Sequence, residues 1–188
     1  MTEGPYARDV LLEELRAHAL VIGDVTLSSG QTASYYVDAK RALLRPRGFR
    51  ATGELVAAAA SELGATAVGG MSIGADPIAC AALAAPGAEG LNAFFVRKER
   101  KMHGLQRWLE GPDLEPGTSC LVVEDVVTTG GSTVRAIERI TAEGLQISGT
   151  VCVVDRLAGG GEAIEAAGGA PFRALATIDE LYPERPDR

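Results

Sequence analysis

Two periodicities alternate along this chain. Val10, Leu11, Leu15, Ala19 and Leu20 recur at helical spacing, which predicts an amphipathic helix over 6–19. Residues 25–31 and 34–38 then predict two short strands joined by a turn, a small cap over the sheet that follows. From residue 47 the period switches repeatedly. Phe49, Leu55, Val56, Ala59 and Leu63 mark one face of an Ala-rich helix over 47–63, and residues 67–70 form a short strand. A loop over 71–77 leads into a helix over 77–85, with Pro77 in its first turn, and residues 93–96 are the next strand. The run Leu121 to Val123 is apolar and β-branched, as a strand buried on both faces should be. Val134, Ile137 and Ile140 predict a helix over 132–143, with Ser132 or Thr133 as N-cap and Gly144 just past its end. Residues 147–154 form another strand that closes at Asp155-Arg156. A short helix at 162–167, an edge strand at 172–176 and a turn at 178–181 follow, and 183–188 reads as a disordered tail.

Strands that alternate with helices predict an α/β fold, a doubly wound parallel sheet flanked by helices. One domain should span 1–188, with a core over about 46–176 and a small hood built mainly from 1–45 plus the C-terminal segment. Ligands of such sheets bind at the carboxyl ends of the strands. Arg97, Glu124, Asp125, Asp155 and Arg156 all fall at those ends.

Composition narrows the class. The chain has 188 residues, 46% hydrophobic but only 5% aromatic, so the core is aliphatic. It contains no apolar run long enough to span a membrane, and its first residues do not read as a secretory leader. Cys80, Cys120 and Cys152 are odd in number, sit among apolar neighbours and lack metal-ligand spacing, which predicts buried free thiols in a reducing cytoplasm. A net charge of −7 argues against a nucleic-acid partner. Against that acidic background, Arg97, Lys98, Arg100, Lys101 and Arg107 with only Glu99 make a basic island, which calls for an anion.

The chemistry concentrates in Glu124-Asp125-Val126-Val127-Thr128-Thr129-Gly130-Gly131-Ser132-Thr133. Glycines let the backbone approach a ligand, hydroxyls donate, and a helix N-terminus offers unpaired N–H groups with a positive partial charge. That is a cradle for a monophosphate. Two carboxylates beside a phosphate must face something else, and a sugar diol suits them as a hydrogen-bond donor. No Lys follows the glycines, so this is not a P-loop, and the dinucleotide fingerprint is absent too.

This string resembles the phosphoribosyl-diphosphate motif of the type I phosphoribosyltransferases. Arg97-Lys98-Glu99-Arg100-Lys101-Met102-His103-Gly104 resembles the loop of the orotate phosphoribosyltransferases. The resemblance implies transfer of phosphoribose from 5-phosphoribosyl 1-diphosphate to orotate, with Mg²⁺ held mainly by the substrate. It implies that Arg97, Lys98, Lys101, His103 and the stretch Glu124 to Ser132 (Glu124, Asp125, Val126, Val127, Thr128, Thr129, Gly130, Gly131 and Ser132) bind phosphoribosyl diphosphate. Lys101 and Asp125 would matter most to catalysis, while Thr128, Arg156, Tyr35 and Tyr36 would bind orotate. It further implies a homodimer in which Arg97, Lys101 and His103 reach the partner's site. Two positions depart from the pattern: Ser28 and Gly74 stand where many relatives have Lys, with Lys40 or Arg41 as candidate substitutes. A phosphoribosyltransferase for another base, or a non-catalytic sensor of phosphoribosyl diphosphate, are the alternative readings.

Overall fold

The computed structural model describes residues 4–26, 32–99 and 107–187. Ser28, Arg100, Lys101 and His103 therefore lie outside the described residues. The chain opens with α1 (Gly4–His18), then a hairpin of β1 (Leu20–Thr26) and β2 (Thr32–Val37) and a single turn α2 (Lys40–Leu43). Next come α3 (Pro46–Glu62), β3 (Ala67–Met71), α4 (Asp76–Leu83), β4 (Asn92–Val96) and β5 (Leu109–Glu110). The rest is β6 (Ser119–Val127), α5 (Gly131–Ala142), β7 (Gln146–Asp155), α6 (Gly160–Gly168), β8 (Phe172–Thr177) and α7 (Ile178–Leu181).

β1 and β2 pair antiparallel in a sheet of their own, and the other strands form one sheet in the order β5-β4-β3-β6-β7-β8. Its members pair parallel except β5, which runs antiparallel to β4 through Phe95↔Glu110 and Val96↔Leu109. β5 was not foreseen, because two residues carry no readable alternation. Likewise β1 begins at Leu20, where the helical count had placed the end of the first helix.

The alternation of side chains across the strands divides the core in two. Leu121 and Val123 join Val68, Val151 and Val153 under α1, α3, α4 and α7, while Cys120 and Val122 join Phe94, Val96 and Cys152 under α5 and α6. Helices thus cover both faces, and the doubly wound expectation holds. Cys120 and Cys152 are buried free thiols, and burial pushes Cys120 up to about 12, so it is inert. Cys80 corrects the reading of three buried thiols. It is exposed, because Ile78, Ala79, Ala81 and Ala82 take the inward positions of α4 and leave it outside.

The C-terminal segment also departs from expectation. Residues 183–187 return to the hood: Arg185 pairs with Asp179, and Asp187 accepts from the Tyr35 hydroxyl at 2.9 Å. Tyr182 packs edge-on against Tyr35, with ring centroids 5.5 Å apart. α7 is held by the capping box of Thr177 and Glu180, and Arg8 of α1 pairs with Glu180 at 2.6 Å. Composition alone suggested a loose tail because Tyr35 and Arg8 lie more than 100 residues away in sequence from their partners here.

Candidate active site

The chain runs from β3 outward to β4 and β5, then crosses back to β6 on the other side of β3. That is a topological switch point, where an open α/β sheet leaves a crevice. The β3–β6 ladder ends at Gly69↔Val122, while β6 stays paired to β7 as far as Val127↔Asp155. Glu124 and Asp125 therefore lie within a strand that has already parted from one neighbour. The sequence reading placed the strand end at Val123 and the acids after it. Pairing with β7 carries the strand four residues further.

An extended backbone sends successive side chains to opposite faces. Glu124 continues the row of Cys120 and Val122 toward α5, where Ser132 Oγ donates to Oε2 at 2.7 Å and Thr133 Oγ1 at 3.0 Å. Those two hydroxyls are thus not N-caps. The N-cap is Gly130, whose φ of 77° and whose missing Cβ, which would lie 2.8 Å from the Gly160 carbonyl, require glycine. Glu124 is only 5% exposed. Burial first, then the charge of Asp125, outweigh the hydroxyl donors and push its carboxyl up to about 7.

Asp125 continues the row of Leu121 and Val123 toward the hood. Its Oδ2 accepts from Lys40 Nζ at 2.8 Å, and the same ammonium lies 3.1 Å from Asp38. Burial acts to lower the Lys40 pKa, but the hydrogen bonds and charges of Asp125 and Asp38 outweigh it and hold the ammonium above its ordinary range. Gly74 faces Asp125 directly: a Cβ there would sit 2.6 Å from Oδ1. The missing side chain makes room for the carboxylate, and the cation beside it comes from Lys40 in the hood.

Thr128 and Thr129 are exposed between β6 and α5, at the open N-terminus of that helix. Arg156 follows β7, held by its N–H to the Val127 carbonyl at 2.9 Å. Its guanidinium donates to the Tyr35 hydroxyl at 2.9 Å, lies 5.0 Å from that ring's centroid, and is 3.6 Å from Asp187. Asp155 accepts from the Leu157 N–H and does not pair with Arg156. Tyr35 is buried and Tyr36 points outward, so only Tyr35 faces Arg156. Burial, then the Asp187 hydrogen bond, raise the Tyr35 hydroxyl pKa.

Arg97 and Lys98 leave the end of β4 beside a cavity of about 470 Å³ that Ser72, Ile73, Phe95, Glu99 and Glu110 also line. Arg97 pairs with Glu110 at 3.0 Å. Among the described residues no cluster of three ligating side chains could hold a metal ion, and no helix is long and apolar enough to cross a membrane. Of the two candidate substitutes for the missing Lys, Lys40 is the one that meets Asp125. Asp187 is the group that sequence reasoning missed, since nothing in the sequence linked residue 187 to residue 35.

A site with this acid pair, glycine-capped helix and basic edge has relatives. The chain is 46% identical to the orotate phosphoribosyltransferase of Corynebacterium glutamicum, over 93% of this chain and 94% of that one. The chain belongs to the orotate phosphoribosyltransferase family. The model of the phosphoribosyl transferase domain matches residues 75–167, which hold both the basic edge and the acid pair. The structure of Mycobacterium tuberculosis orotate phosphoribosyltransferase with Fe(III) dicitrate is similar at a TM-score of 0.84 and 42% identity, covering 93% of this chain and 98% of that one. The same enzyme in complex with 5-phospho-α-D-ribosyl 1-diphosphate is similar at a TM-score of 0.78 and 37% identity, with the same coverage.

Proposed function

We propose that this member of the family transfers the 5-phosphoribosyl group of 5-phosphoribosyl 1-diphosphate to orotate, giving orotidine 5′-monophosphate and diphosphate in pyrimidine biosynthesis. The reading is carried by the gathering, in one crevice, of the Glu124–Asp125 pair, the open N-terminus of α5 and the Arg156 guanidinium.

In this reading the 5′-phosphate rests on the N–H groups of 128–132 and the hydroxyls of Thr128 and Thr129. Asp125 and Glu124 accept hydrogen bonds from the ribose hydroxyls and fix the ring. Arg156 and Tyr35 face orotate, with Thr128 near its carboxylate and Tyr36 at the outer edge. The bond from ribose C1 to the diphosphate oxygen breaks with its electrons going to diphosphate, N1 of orotate forms the new bond to C1, and the N1 proton passes to the departing diphosphate. C1 passes through an oxocarbenium-like state, so the task is positioning and charge stabilisation rather than covalent catalysis. Arg97, Lys98, Lys101 and His103 take up the charge that builds on diphosphate, Lys101 most directly. Water must stay out, since it would capture the cation.

Glu124 and Asp125 are hard oxygen donors of the kind Mg²⁺ accepts, but two carboxylates on opposite faces of a strand do not form a cage. The metal would arrive on the phosphate oxygens of the substrate, where it neutralises charge on the leaving group. We place the reaction in the cytoplasm. In a homodimer Arg97, Lys101 and His103 would serve the partner's site.

Turnover of orotate with phosphoribosyl diphosphate, followed by diphosphate release, tests the reaction; release with a purine or uracil instead would replace the base assignment. Lys101→Ala should lower turnover by about 10²-fold or more, the scale of losing one preorganised charge contact. Near-normal rates would defeat that role. Mixing Lys101→Ala with Asp125→Asn subunits should restore activity if the loop serves the partner, and no recovery would overturn that sharing.

A further inference from the structure

Arg139 sits on α5 roughly 13 Å along the helix axis from the Gly130 cap. It makes no ion pair among those the described residues show. Its guanidinium instead donates to two main-chain carbonyls, that of Arg97 and, at 3.1 Å, that of Lys98. The same group lies 4.1 Å from the centroid of the Trp108 ring and 3.4 Å from the Met71 sulfur. One turn further on, Glu143 accepts from the Trp108 N–H at 3.0 Å. Arg97 N–H in turn donates to the Trp108 carbonyl at 2.9 Å. The backbone at 97–98 and at 108 is therefore tied together, and both are tied to one face of α5.

Guanidinium suits this task. Its planar fork presents two donor groups in a fixed geometry to the two carbonyls, and its flat face stacks on indole; an ammonium has neither the fork nor the flat face. The carbonyls of Arg97 and Lys98 lie just beyond β4, where the sheet ladder no longer satisfies them. Fixing them fixes where the Arg97 and Lys98 side chains depart toward the cavity they line.

We propose that Arg139 is a positioning residue for the diphosphate half of the substrate, with α5 as a rigid spacer between two anion sites. One end of the helix forms the cradle at 130–132. Its later turns hold the backbone of Lys98, which faces the diphosphate of the same site, and of Arg97, which in a homodimer serves the partner's. A phosphoribosyl diphosphate has its two anionic ends at a separation set by the ribose, so the protein must hold its two anion sites at a matching distance. The inference rests on the functional reading given above.

Two ligands separate its parts. Ribose 5-phosphate engages only the acid pair and the cradle, whereas diphosphate with Mg²⁺ engages only the basic edge. Calorimetry on Arg139→Ala and Arg139→Gln should show diphosphate affinity down by about tenfold or more and ribose 5-phosphate affinity held within about twofold, as expected when one site is displaced by about an ångström. The KM for phosphoribosyl diphosphate should rise in parallel while that for orotate stays put. Arg139→Lys should fall between, since one donor group cannot replace the fork. Arg139→Gln keeps the first methylenes of the side chain and is the variant to read if Arg139→Ala does not fold. Equal weakening of both ligands, which a general loosening of α5 would give, overturns the proposal, and so does unchanged diphosphate affinity. A wild-type chain that binds both ligands but makes no orotidine 5′-monophosphate would sink the functional reading and leave this one standing.

Discussion

Glu124 and Asp125 are adjacent carboxylates, yet they occupy different surroundings. Glu124 points into the α5 side of the sheet, where two helix hydroxyls converge on one of its oxygens. Asp125 points to the hood side, where an ammonium pairs with it and a glycine backbone lies against it. Burial acts on both, with 5% and 9% of their surfaces exposed. The compensation differs in kind: neutral donors for one, a full positive charge for the other. Neutral donors do not keep the Glu124 carboxyl from being pushed up to about 7. Asp125 instead meets the Lys40 ammonium at 2.8 Å. The acid motif thus encodes two unlike groups, one whose carboxyl burial raises toward neutrality and one paired with an ammonium.

Changing Asp125 should have the largest effect. Asp125→Asn leaves Lys40 without its closest counter-charge and removes an anionic acceptor from the ribose. Loss of charged hydrogen bonds worth about 1.5–3 kcal/mol each predicts phosphoribosyl-diphosphate binding weaker by about 10- to 100-fold with the fold intact. Unchanged affinity by calorimetry would contradict the hood-side role.

Gly74→Ala probes the same side more gently. Its Cβ would meet Oδ1 at 2.6 Å, so the carboxylate must turn away from its place beside Lys40. About tenfold weaker substrate binding is expected, from a shift of a few tenths of an ångström or more at a positioned group. A fully active Gly74→Ala enzyme would show that the Asp125 rotamer is not important.

Glu124 sharpens the contrast through pH. Its folded pKa of about 7 exceeds the model-peptide value of 4.5, so the folded state holds an extra proton between those values. The stability this contributes is fully present below about 4.5 and is lost as pH rises through about 7, by up to about 3 kcal/mol. Glu124→Gln should therefore melt above the wild type at pH 8, with the gap closing toward pH 4.5. A constant gap across that range would show that the Glu124 carboxyl is not raised. Substrate hydroxyls that donate to Glu124 favour its charged form, so binding near pH 6 should release part of a proton per site and release less above pH 8. Calorimetry in two buffers of different ionisation enthalpy measures this. No release at pH 6 would place the ribose on Asp125 alone.

Much of this is legible in the sequence. The switch of period at residue 47, the β-branched run Leu121–Val123 and the glycines after Thr129 specify strand, loop and helix through local backbone preference, which acts over a few residues. The spacing of Arg97 to His103 and of Glu124 to Ser132 marks the family for the same reason, since each motif is a contiguous piece of backbone with its side chains. Tertiary structure decided what lies across the sheet. That β6 runs on to Val127 depends on β7, that Ser132 and Thr133 serve Glu124 instead of capping depends on the face to which the strand sends it, and that Lys40 reaches Asp125 depends on the hood folding over a switch point 85 residues away. Arg139 on the Arg97 and Lys98 carbonyls belongs to this second group. Such pairings join residues beyond the reach of local backbone preference, and their energies exist only after the backbone has closed. A single chain read by period and propensity records which groups are present; packing alone sets which of them meet.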